Sequence, residues 1–152
     1  MPQPTEAHRT LERLAGTWVG DEEMPPSSWA PEGVRATGRS VARVALGGFA
    51  VVADYRQERD GQVTFEGHGV YTYDPSEECY VQHWFDCTGS PPELFKGTFE
   101  EGLLTLRSRG PRGHARVTSD LSVEGRMVTR METSPDGETW SLAFEGRYVR
   151  EA

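Results

Sequence analysis

The sequence predicts an all-β fold, a single antiparallel barrel of about ten strands behind one short amino-terminal helix. Three observations predict it. Apolar residues recur at period two over most of the chain, as in Val63, Phe65, Gly67, Gly69, Tyr71 and Tyr73. Turn chemistry punctuates these stretches at short, regular intervals. Only the first fourteen residues carry a helical pattern.

Residues 4–14 read as the helix. Thr5 suits the N-cap, Glu6 the first turn, and Arg9 and Arg13 the last. Leu11 and Leu14 share a face, and Gly16 supplies a left-handed exit. A helix this short must pack on something, so it is placed as a lid over one barrel end, with His8 facing solvent. Residues 17–23 form the first strand. Three prolines make residues 24–33 a loop, and Trp29 within it folds back towards the barrel mouth. Strands follow over 34–46, 49–59 and 63–74, with Gly47-Gly48 and Asp60-Gly61 as turns. Residues 79–87 carry apolar side chains on both faces in places, which predicts burial on both sides or a place under a covering element. Strands at 94–100, 103–109, 114–121, 126–134 and 139–150 complete the set. A meander whose last strand pairs with its first removes both exposed edges.

The chain has 152 residues, enough for one domain with a sizeable core. Its net charge of -8, without a basic cluster, excludes a nucleic-acid or anionic-membrane binder. No apolar run approaches the roughly 20 residues of a membrane-spanning helix. The amino terminus lacks a basic start and an apolar centre, so no export signal is expected. Cys79 and Cys87 lie on one strand, about 26 Å apart when extended, too far for a disulfide. Two free thiols and no export signal predict a cytoplasmic protein.

Gly16-Thr17-Trp18 resembles the Gly-x-Trp signature on the first strand of lipocalins and their calycin relatives, where the tryptophan plugs the closed end. Gly16 and Trp18 are therefore structural candidates. A wider pattern, His8…Leu11…Leu14-Ala15-Gly16-Thr17-Trp18, Trp29, Leu46-Gly47-Gly48-Phe49, Gly69-Val70-Tyr71-Thr72-Tyr73-Asp74 and Trp84-Phe85-Asp86, resembles the bacterial family called domain of unknown function 1579. That resemblance implies a lipocalin-like barrel and no settled activity. The opening also resembles nitrobindin, whose haem hangs from a histidine near the carboxyl terminus. Residues 139–150 contain no histidine, a departure that argues against haem, and no cofactor is expected.

Candidate site residues are drawn from the strands. Phe65, Tyr71 and Trp84, with Trp29 from its loop, supply aromatic surface for a pocket. His68 and His83 are polar candidates, but the histidines lack close ligand spacing and no metal site is expected. Asp86 ends the most apolar strand: it is either a buried acid–base carboxyl or a cap on the turn at Thr88-Gly89. Arg130 and Glu145 lie on adjacent strands, where they either pair across the sheet in water or point inward, an arginine holding a ligand carboxylate. The expected function is binding of a small, largely apolar ligand in the barrel. The alternative is an enzyme using Asp86, His83 or Glu145. No motif of nucleophilic catalysis or phosphate binding is present. The outer wall could pair with a second copy as a homodimer.

Overall fold

The computed structural model describes residues 1–28 and 30–152, so the placement expected for Trp29 lies outside the described residues. Helix α1 (Glu6–Leu11) runs into a 3-10 turn (Glu12–Leu14). Ten strands follow: β1 (Gly16–Met24), β2 (Val34–Ala45), β3 (Ala50–Arg59), β4 (Gln62–Asp74), β5 (Cys79–Asp86), β6 (Glu93–Glu100), β7 (Leu103–Gly110), β8 (Gly113–Asp120), β9 (Arg126–Ser134) and β10 (Ser141–Arg150). Each pairs antiparallel with its chain neighbours, and β1 pairs with β10 to close the barrel. The expected all-β meander is therefore observed, with every edge paired.

Turn chemistry sets the register. Asp60 and Gly61 both have positive φ, at 52° and 76°, the conformation a two-residue hairpin needs to match strand twist. A bulge where the register shifts between Gln57 and Glu58 breaks the alternation at the start of β4. Phe65 stays opposite Gln57, but Val63 is 49% exposed instead of continuing the inward row.

One end is closed. Leu11, Leu14 and Trp18 are buried together under the lid. The Trp18 indole N–H donates to the Leu14 carbonyl at 2.9 Å. The Arg150 guanidinium lies 4.6 Å from the Trp18 ring centroid and donates to the Arg13 carbonyl at 3.0 Å. The Tyr80 hydroxyl donates to the Ala7 carbonyl at 2.9 Å, tying the helix to β5. The lid and the plugging role of Trp18 match the sequence reading.

Two expectations are corrected. His8 is buried, not solvent-facing. Its Nδ1 accepts the Thr5 backbone N–H at 2.9 Å, and its ring meets Phe49 and Tyr73 edge-on. At the third helical position an imidazole can reach back to the N-cap as Glu does in a capping box. Strand β5 is not covered on both faces: His83 and Phe85 are exposed on the outer wall, which no second layer packs over at that point.

Replacing the plug tests this end. Trp18→Ala should cost about 3–5 kcal/mol in urea unfolding, as for large core truncations. Trp18→Phe keeps an aromatic plug but loses the pyrrole half of the indole together with its bond to Leu14, so it should cost less than Trp18→Ala, about 1–3 kcal/mol.

Candidate functional site

Paired residues share a face of the sheet, so register assigns each strand's inward set. Near the closed end Val51, Phe95, Phe99, Leu104 and Leu106 face the axis and are buried. Phe65, Trp84, Val117, Met127, Met131 and Phe144 face the same axis but are only half-buried; Val117, directly across from Leu106, and Met127 lie against the closed-end core, and Phe65, Met131 and Phe144 lie farther from the lid. In a barrel filled by its own side chains they would be as buried as Trp18, at 1%. The barrel lumen is therefore less tightly filled away from the lid than beneath it.

Inward glycines keep it open by letting large neighbours lie against the wall. A Cβ at Gly67 would come within 2.2 Å of the Trp84 ring, so that ring lies flat on β4. A Cβ at Gly38 would come within 2.1 Å of Glu22 Oε2, so that carboxylate lies flat on β2.

Glu22 is the most buried charged group, at 1% exposure. Its carboxylate accepts the Tyr55 hydroxyl at 2.8 Å, the Gln57 amide at 3.1 Å and the Tyr148 hydroxyl in a short bond. Burial first, and then the Glu22 charge, push both phenols well above the ordinary tyrosine range. Sequence reasoning missed all four residues. One signal could have found Glu22: it stands four residues after the plug Trp18, on the same strand face.

At the mouth, Asp86 Oδ2 accepts the Trp84 indole N–H at 2.9 Å, and Oδ1 accepts the Thr88 backbone N–H at 3.0 Å together with its hydroxyl. Burial raises the Asp86 pKa, but the Thr88 and Trp84 donors outweigh it and hold the carboxyl below the usual range. Glu93 sits across from Trp84 on β6, its pKa raised by burial and then by the Asp86 charge. Tyr71 accepts the Gln82 amide at 2.9 Å, and burial pushes its phenol up to about 12.

Over residues 3–150 the chain matches the family described as Protein of unknown function (DUF1579). The chain belongs to that family. The crystal structure of Rv2717c from M. tuberculosis superposes on this DUF1579 barrel with a TM-score of 0.74. The two share 11% identity over 97% of this chain and 99% of that one, a likeness of fold. No curated protein matches the chain.

Within this DUF1579 barrel, Phe65, Tyr71, Trp84 and Asp86 face the lumen together. Four other sequence candidates do not. His68 and His83 stand on the outer wall, one residue out of phase with the inward set. Arg130 and Glu145 are direct cross-strand partners on that wall, 3.9 Å apart, with Arg147 also on Glu145 at 3.3 Å. Of their two readings, pairing in water is the one observed. Asp86 is a turn cap that also reaches the lumen. Gly16 and Trp18 hold the closed end.

The outer wall carries a cleft of about 520 Å³ across β2–β5. Its arginines are already paired, Arg39 with Glu151 at 2.8 Å and Arg56 with Glu58 at 3.2 Å, and His68 Nδ1 lies 2.7 Å from Asp54 Oδ1. It is open and its cations are committed, so the lumen is the better candidate. Among the described residues no helix is long and apolar enough to cross a membrane.

Raised phenol pKa values give a signed pH dependence. The folded state favours neutral phenol, so this stabilisation is complete below the ordinary value of 10.0 and is lost as pH rises through the folded values, about 12 for Tyr71. The urea midpoint should fall above about pH 10, and phenolate absorbance should appear later in native than in unfolded protein. Gly38→Ala should separately destabilise by about 1–3 kcal/mol, because its methyl enters the space of the buried carboxylate.

Proposed function

We propose that this barrel binds a small, largely apolar molecule in its lumen. The observation that carries the reading is the half-buried inward surface of Val117, Met127, Met131 and Phe144. Apolar side chains that face a barrel axis and stay accessible leave room for a guest, and burying a guest against them is favourable. Ser119 and Thr129, hydrogen-bonded to each other across β8 and β9 at 3.1 Å, add polar atoms to the same wall. This combination of apolar lining and few placed polar groups is the usual chemistry of a small-molecule site. In having one plugged end and one open mouth, the barrel is lipocalin-like.

The enzyme alternative rests on Asp86. A general acid working near neutral pH needs a raised pKa, and the donors around Asp86 lower it. Binding is therefore the function we favour.

A homologous series of linear alcohols tests it, read by displacement of an environment-sensitive dye. Affinity should rise about fourfold per added methylene until the lumen is full, then level off. Val117→Trp should weaken binding at least tenfold, on the order of 1.4 kcal/mol. His83→Ala on the outer wall should leave it unchanged. A flat series, or equal loss in both variants, would contradict lumen binding.

A further inference from the structure

Charge is sorted by face in this barrel. Within the strands, Arg35, Arg39, Arg43, Arg56, Lys96, Arg107, Arg109, Arg116, Arg126, Arg130 and Arg147 all fall on the outward parity of the register. So do His68, His83 and His114. Arg150 is inward by parity but lies behind Trp18, at the closed end. Arg59 and Arg112 are exposed at the tips of two hairpins on the rim, where the Arg112 charge reaches Glu93. Among the described residues the carboxylates on the inward parity are Glu22, Asp86 and Glu93, the last exposed at the start of β6, and, Arg150 apart, the other titratable groups there are tyrosines.

Aromatic rings sit among these acids. The Tyr55 centroid lies 6.1 Å from that of Phe65 and 6.3 Å from that of Trp84. The Trp84 ring lies against β4 over Gly67 and Gly69, where a side chain would otherwise stand. The Trp84 indole N–H points to Asp86, and hydrogen bonding to an anion makes the ring a richer π donor. Aromatic faces beside a carboxylate are the general means of holding an ammonium group. An anionic guest would lose its hydration here beside Asp86 and Glu93, with Arg59 and Arg112 only on the exposed hairpin tips.

We infer that the preferred guest of this lumen is a lipophilic cation, an apolar body bearing a protonated or quaternary nitrogen, with the nitrogen over the Tyr55–Phe65–Trp84 rings and beside Asp86 and Glu93. This rests on the lumen-binding reading and adds the charge of the ligand to it. Glu22 belongs to the same field but is sealed behind its own donors and does not touch the guest.

The test compares three probes of one chain length: decyltrimethylammonium, decanol and decanoate, each displacing the same dye near neutral pH. The ammonium should bind at least about tenfold tighter than the alcohol, the equivalent of a partly desolvated cation–π contact with a nearby charge, and decanoate should bind weakest. Glu93→Gln and Asp86→Asn should each shrink the ammonium-to-alcohol ratio by about threefold or more, while Asp54→Asn on the outer wall leaves it unchanged. Glu93→Gln keeps the test sound if Asp86→Asn, which weakens the acceptor for Trp84, does not fold. Equal binding of ammonium and alcohol, or tighter binding of decanoate, would overturn the charge preference and leave lumen binding standing. No binding by any of the three would overturn both.

Discussion

A carboxylate buried in a barrel wall must be met by donors, and the rest of this structure is arranged around that requirement at Glu22. Its partners come from distant parts of the chain: Tyr55 and Gln57 from β3, Tyr148 from β10. Together they bracket β1 at the seam where the barrel closes. Leaving such a charge without donors costs several kcal/mol, far more than any one of these bonds contributes net. A slip of one residue in β1 would carry Glu22 to the outer wall and leave two phenols unpaired inside, so the network holds the register of the closing strands. Glycine serves the same end. Gly38 makes room for the carboxylate and Gly146 for the Tyr148 hydroxyl, each where a Cβ would come within 2.1 Å.

The same device shapes the cavity. Glycine wells draw Glu22 and Trp84 onto the wall, so two large side chains that could have crossed the axis do not. The closed end, by contrast, is packed from Leu11 to Leu106 around Trp18. The barrel is thus tightly packed at one end and more accessible at the other. Cations are left to the outer wall, where Arg116 pairs with Glu132 and Arg130 with Glu145. Those pairs are solvent-screened and contribute little to stability, but their placement decides the sign of the lumen.

Much of the fold was legible in the sequence because turn residues and period-two patterns are local. Asp60-Gly61 and Glu101-Gly102 announce hairpins, and Trp18 announces the plug. Side-chain facing was less legible, because it depends on register, and one bulge inverts it. Phe65, Tyr71, Trp84 and Asp86 share the inward face, and His68 and His83 stand one residue out of phase with them, a distinction the strand pattern alone does not carry. Val63 lost its inward place to the bulge near Gln57. Glu22 was overlooked because Asp21-Glu22-Glu23 reads as a solvated acidic run, and only its distance from Trp18 marks the middle residue as internal. His8 looked like a surface residue because a cap that uses imidazole is uncommon.

Everything said of function depends on the lumen being unfilled, and xenon reports that directly. The gas enters apolar voids in crystals under modest pressure and scatters anomalously. A crystal structure of the pressurised protein should show xenon inside the barrel, among Val117, Met131 and Phe144. Continuous side-chain density across the axis, with xenon confined to the outer cleft or absent, would mean that the barrel fills itself and binds nothing there.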